Sequence, residues 1–459
     1  MCKVAIRPQA CILDELQQHV LESKDIYGAA ALYPKLVQYY GSNSNAVLML
    51  ERLFASRQRY RRILAAAQFT PLEVMSWLVR DNETLCLNKL AMNLATPLPI
   101  LSKLMVRAPI ERQLRLARHP TMSTELLARL PMQHPEIRHA LCRNPNTGIA
   151  QLRQLAQNVS LVEAQCLALN PHADGELLIN LWQRFDDPFL HANLATNGQL
   201  PASLRGLTLT SDSPLIRRKT AANPSLTKAQ QHLLLADTQY TVRAAMVRYA
   251  SIRSDHREVD EHHRVRRVYA RCAGLDTATL AHLSKDRDAW VRRWVARNPS
   301  TGSVVLKALA LDSEPQVRRG ITRNDVTSLS LLEQLSQDRD AWVRAGVAYR
   351  SDISISIIER LSHDTSDDVL AGLASNLHCP QLLLQRLSQH TSADVRRAVI
   401  NNSVTSSEIL MNLVEDPYGF NRAQLCINPR LPERALWHLL DDPEAQVRFN
   451  VVTRLSGLE

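Results

Sequence analysis

The chain has 459 residues, with 55 lysines and arginines against 45 aspartates and glutamates, a formal net charge of +10 and only 5% aromatic residues. No stretch reaches the roughly 20 apolar residues that a membrane span needs, and the N-terminus lacks the basic-then-apolar pattern of a secretory signal. The eight cysteines (Cys2, Cys11, Cys86, Cys142, Cys166, Cys272, Cys379 and Cys426) are scattered without CxxC spacing, which argues against a disulfide framework and makes buried thiols in a cytoplasmic protein the expectation.

Residues 1–60 read as an N-terminal helical cap, with longer helices expected over 12–21 and 46–62 and a cluster of Tyr33, Tyr39 and Tyr40 between them. From 61 to 249 turn positions return near Asn93, His119, Asn144, Asn170, Asn197, Asn223 and Tyr249, every 25 to 27 residues, so this part reads as irregular repeats. Segment 250–264 breaks the pattern. The step from Val242 to Val265 is 23 residues, and SIRSDHREVDEHHR replaces the apolar pairs, a degenerate polar segment that reads as a solvated loop or as a binding loop or hinge. His256, His262 and His263 stand there among Asp255, Glu258, Asp260 and Glu261. The adjacent His262 and His263 would point about 100° apart on a helix and no HExxH spacing occurs, so no metal is assigned.

Residues 265–459 repeat with a period of 26, marked by Val265, Val291, Val317, Val343, Val369, Val395, Asn421 and Val447. A fixed period of this size is the signature of a solenoid, whose units bury their apolar faces only against their neighbours. In DRDAWVRRWVARNPSTGSVVLKALALD, Val291 and Val295 lie one turn apart on a first helix and Leu306 and Leu309 on a second. The leucine pair recurs as Leu280/Leu283, Leu332/Leu335, Ile358/Leu361, Leu384/Leu387, Leu410/Leu413 and Leu436/Leu439, a double ladder expected to form the core. An Asp precedes the valine position by five residues at Asp237, Asp286, Asp312, Asp338, Asp364, Asp416 and Asp442. An Arg follows it at Arg217, Arg243, Arg266, Arg292, Arg318, Arg344, Arg396 and Arg448. These are expected to cap helices and staple neighbouring units, with no chemistry of their own. Asn144, Asn170, Asn223, Asn298, Asn324, Asn376, Asn402 and Asn428, often before Pro, are expected to end helices in the left-handed conformation.

VRRWVARNPSTGSVVLKALALD and its neighbours resemble the leucine-rich repeat variant family, whose units read approximately VRxxVAxNPxxxxxxLxxLAxD, over roughly residues 60–455. A weaker likeness to HEAT-type repeats supports the same shape. The resemblance implies an all-α, right-handed helical-repeat solenoid in which each unit is an α-helix plus a shorter, partly 3-10 helix. Some members carry an iron–sulfur cluster on a cysteine-rich N-terminal module. Only Cys2 and Cys11 fall in the first 85 residues here, so that cofactor is not carried over and none is expected.

Charge is concentrated. Residues 217–323 hold 21 lysines and arginines against 10 acids, a surplus of 11 where the whole chain has 10. Basic residues stand two and six places after the repeat valine as Arg267/Arg271, Arg293/Arg297 and Arg319/Arg323, with Arg218 and Arg248 as half-pairs, and become Ala345/Tyr349 in the next unit. Residues one turn apart share a helix face, so stacked units would align these into a basic stripe beside Trp290, Trp294 and Trp342. With 13 glycines, no phosphate loop, no nucleophile elbow and no metal-ligand spacing, no catalytic residue is assigned. The function expected is a non-catalytic scaffold binding a protein partner along an elongated solenoid surface, with the stripe and tryptophans as the contact region. The alternative is a nucleic-acid-binding helical-repeat protein, of the DNA-repair kind, engaging residues 217–323. The oligomeric state stays open.

Overall fold

The computed structural model describes residues 9–249 and 260–457. Cys2 and most of the polar segment 250–264, with His256, Asp255 and Glu258, lie outside them. All regular structure among the described residues is helical, and no described helix is long and apolar enough to cross a membrane.

Two short helices alternate through the repeats. Ala289–Arg297 is followed by Ser303–Leu309, Pro315–Thr322 by Leu329–Leu335, and Ala341–Ala348 by Ile355–Leu361. Helices of this length are marginal alone in water, so their stability comes from stacking on the units before and after. From Ala289–Arg297 to Asp367–Ala374 each first helix packs along the first helix of the next repeat, and the second helices between them touch the first helices on either side. The double ladder forms the core as expected: both members of every leucine pair are buried, and Val291, Val317, Val343, Val369 and Val395 are fully enclosed. The second helices are α-helical rather than partly 3-10, because i to i−4 bonds run to their ends, as in Ala310 N–H to the Leu306 carbonyl at 3.0 Å and Ser336 N–H to Leu332 at 2.8 Å. The one 3-10 helix among the described residues, Leu439–Asp441, extends Glu433–His438.

Polar side chains join the units. Arg292 meets Asp312 through Nε at 2.6 Å and Nη2 at 2.9 Å, while its Nη1 donates to the Asp286 carbonyl at 2.7 Å. The same clamp links Arg217 to Asp237, Arg266 to Asp286, Arg318 to Asp338, Arg344 to Asp364, Arg396 to Asp416 and Arg422 to Asp442. Each Arg therefore reaches the Asp 20 residues on, in the following unit. That Asp is not the helix cap itself. It accepts the N–H two residues later, as Asp312 does from Glu314 at 3.0 Å, and Asp288 and Asp340 cap the helices. Across the short step the clamp survives with Asp260 as partner of Arg243, 17 residues on. Burial alone would push these carboxyls up, but hydrogen bonds from the guanidinium and the turn N–H hold Asp237, Asp260, Asp312, Asp338, Asp364 and Asp416 below their ordinary value.

The asparagines act differently from expectation. Asn298 has φ −71° and ψ 126°, extended rather than left-handed, and among the described residues only Lys24 and Arg107 take positive φ without being glycine. Its Nδ2 donates to the carbonyls of Ala270 and Cys272, the frayed end of the preceding first helix, at 2.8 and 2.7 Å, while Oδ1 accepts from Ser300 N–H. Asn324 repeats this on Ala296 and Asn298. Arg350 and Arg454 take over where the asparagine is missing, each donating to two carbonyls of the preceding unit. The asparagine thus supplies the orphan carbonyls of its neighbour with donors.

The chain divides into two compact units, Met1–Gly148 with Ser388–Glu459, and Ile149–Leu387. In the first, the N-terminal helices are Gln9–Glu22, Ile26–Tyr40 and Asn45–Ala55. The tyrosines stand on the second of these, where the sequence suggested a connection, and a break at Ser56–Arg57 divides the expected 46–62 helix. Ile26–Tyr40 packs on the first repeat and also on Ala445–Leu455, the last helix. Asp25, which caps it, receives Arg448 Nε at 3.1 Å and so takes the place of the Asp that a further repeat would supply. Phe69 and Phe449 meet beside it at 4.7 Å between ring centroids.

Candidate functional site

The second unit carries the basic residues that the sequence singles out. Their framework is a set of closely approaching first helices: a Cβ at Gly320 would stand 2.9 Å from both the Ala296 Cβ and the Arg293 carbonyl oxygen, so glycine there lets Pro315–Thr322 lie against Ala289–Arg297. That approach brings the arginines of successive units together.

Seven of the eleven candidates form one stacked assembly. Arg271 lies over the Trp294 ring at 4.3 Å and Arg297 over the same ring at 5.2 Å. Arg293 sits 4.8 Å from the Trp290 centroid, with Trp294 and Trp342 slightly farther, and Arg319 sits 4.1 Å from Trp342 while donating to its carbonyl. Trp290 and Trp342 are each 41% exposed. The rings thus hold guanidiniums in place, each with at least one arginine already over it.

These arginines differ from the clamps in having no carboxylate within ion-pair distance among the described residues. Desolvation, then the neighbouring Arg297 and Arg323, pulls Arg293 below its ordinary value, and desolvation with Arg323 and Arg271 does the same to Arg297. Burial and Arg323 push Arg319 down to about 10, against a partial opposing pull from Asp368, so it stays cationic at neutral pH. Arg323, exposed, completes the repelling group. Guanidiniums crowded in this way gain from any anion that enters among them, and their planar forks suit carboxylate and phosphate oxygens.

The remaining candidates lie elsewhere. Arg267 is bound to Asp288, with Nε 2.9 Å and Nη2 2.6 Å from its oxygens, so its charge is answered and the stripe is interrupted there. Arg218 and Arg248 line a separate cleft of about 460 Å³ with Lys219, Arg264, Tyr240 and Tyr249. Arg264, absent from the basic stripe, stands immediately before Val265 as Trp290 and Trp342 stand before their valines, and that shared register is the sequence signal for it. Tyr249 was placed as a turn residue and is instead the exposed end of the helix Tyr240–Tyr249.

No group of three or more His, Cys, Asp or Glu side chains is arranged to hold a metal among the described residues. His262 stacks on Tyr240 at 3.7 Å and Asp260 is held by Arg243, so both have structural duties. Cys86, Cys142, Cys272, Cys379 and Cys426 are buried, Cys166 is half-buried and Cys11 is exposed, contrary to the uniform burial expected. Burial pushes the Cys379 and Cys426 thiols up to about 12, which keeps them protonated and unreactive. Compared with known proteins, the chain matches no family model and no curated sequence.

Proposed function

We propose that this chain is a cytoplasmic, non-catalytic interaction scaffold of the leucine-rich repeat variant type, right-handed in its winding, that holds an acidic protein segment against the Arg–Trp assembly of residues 271–342. The observation that carries the reading is the contrast between two sets of arginines on the same helices: the clamp residues each own an aspartate, whereas Arg293, Arg297 and Arg319 are desolvated beside one another with none. A row of glutamates or aspartates on a partner would relieve that repulsion and find the guanidiniums already oriented. The arginines already over each tryptophan ring favour this over single-stranded nucleic acid, whose bases would have to compete with them for stacking.

The test is fluorescence anisotropy of labelled poly-glutamate and of labelled short duplex DNA with the purified chain at two salt concentrations. Saturable poly-glutamate binding with duplex DNA bound more weakly is expected. Tighter binding of the duplex, falling steeply with salt as phosphate contacts do, would replace this reading with the nucleic-acid one.

A further inference from the structure

The second basic site, the cleft between Pro214–Thr220, Tyr240–Tyr249 and His263–Ala270, differs from the Arg–Trp assembly in shape and in what its aromatic rings are doing. We propose that it binds a small polyphosphate ligand bearing an aromatic ring, of the nucleoside triphosphate class.

Four cations, Arg218, Lys219, Arg248 and Arg264, line the cleft, and no carboxylate among the described residues does. Asp237 is clamped by Arg217 and Asp260 by Arg243, so neither answers the charge of the cleft. Arg218, Arg248 and Arg264 are exposed and have no ion-pair partner among the described residues. A single peptide carboxylate would leave most of this charge unanswered, and the volume of about 460 Å³ lies in the range of small-molecule sites, too narrow for a folded domain or a duplex. A triphosphate carries about four negative charges on adjoining oxygens and matches the lining in sign and density.

The two tyrosines of the cleft differ in what they touch. Tyr240 is taken, sandwiched by His262 at 3.7 Å and holding Arg264, whose Nη1 donates to its hydroxyl at 3.3 Å and so is fixed toward the cleft. Tyr249 is 53% exposed with no ring partner among the described residues, leaving one open aromatic face beside the phosphate-binding cations. An open ring next to fixed cations is the arrangement that a base and its phosphates need.

Isothermal titration of the full chain with ATP and with inorganic tripolyphosphate tests this. We expect ATP to bind at low salt, to lose about tenfold or more in Arg218→Ala/Arg248→Ala, and to recover in part in Arg218→Lys/Arg248→Lys, which separates charge loss from misfolding. Tyr249→Ala should weaken ATP several-fold and leave tripolyphosphate unchanged. The Arg293→Ala/Arg297→Ala/Arg319→Ala variant, which governs the scaffold reading, should bind ATP as the parent does. Absence of ATP binding, retention in the Arg218/Arg248 double alanine variant, equal loss in the triple variant, or indifference of ATP to Tyr249→Ala would each overturn the proposal.

Discussion

Arg318 and Arg319 are neighbours in the chain with opposite surroundings. Arg318 is 6% exposed at its side chain and donates to both oxygens of Asp338, and these hydrogen bonds raise its affinity for its proton. Arg319 faces other arginines and loses affinity for its proton through burial. One position along a helix thus separates a charge paired with a carboxylate from one that is not. Removing one member of a buried pair leaves the other charge uncompensated, at a cost of roughly 3–5 kcal/mol, so Asp338→Asn should lower the urea midpoint far more than Arg319→Ala. The clamp aspartates also set the response to acid. Their folded pKa values are depressed, so their contribution is complete above the unfolded value of about 3.9 and is lost as pH falls toward the folded one. Stability measured by urea unfolding should therefore decline below about pH 4, and Asp338→Asn should shrink that decline; an unchanged pH profile would mean that the carboxylate is not held as described.

At the scale of helices, the sequence was most informative where a physical requirement repeats. Buried leucines must recur with the unit, and Val291/Val295 and Leu306/Leu309 announced two helices and their inward faces. The asparagines were misjudged because local propensity suggested a left-handed helix end, while the deciding interaction, donation to Ala270 and Cys272 of the unit before, is not local. The helix Ile26–Tyr40 was missed for a related reason: Pro34 within it argues against a helix interior, but packing on both neighbouring elements outweighs that cost. Helix spacing also bears on the site. Gly320→Ala would place a methyl 2.9 Å from backbone and side-chain atoms of the adjoining helix, forcing the two apart. We expect a loss of about 1–3 kcal/mol together with weaker poly-glutamate binding, since Arg319 and Arg323 would move away from Arg293 and Arg297; unaltered affinity in a destabilised protein would detach the site from this contact.

For the molecule as a whole, the period of 26 discloses the repeat but not the way its last member ends. The Arg448–Asp25 contact joins residues 423 positions apart, and Asp25 belongs to no repeat, so nothing in the spacing could reveal it. Asp25→Asn keeps a capping side chain and removes the charge. Amide exchange in this variant should rise together in Ile26–Tyr40 and Ala445–Leu455, whereas a rise in the first helix alone would show that the pair does not couple them. The candidate site was partly legible: the stripe gave the identity of the arginines, but only side-chain positions show Arg267 answered by Asp288 and arginines stacked on the tryptophans. The central claim, that the unpaired arginines are the contact surface, is tested most directly by poly-glutamate affinity of Arg293→Ala/Arg297→Ala/Arg319→Ala measured beside its urea midpoint. The account predicts a loss of about tenfold or more with the midpoint nearly unchanged, and affinity equal to that of the parent would contradict it.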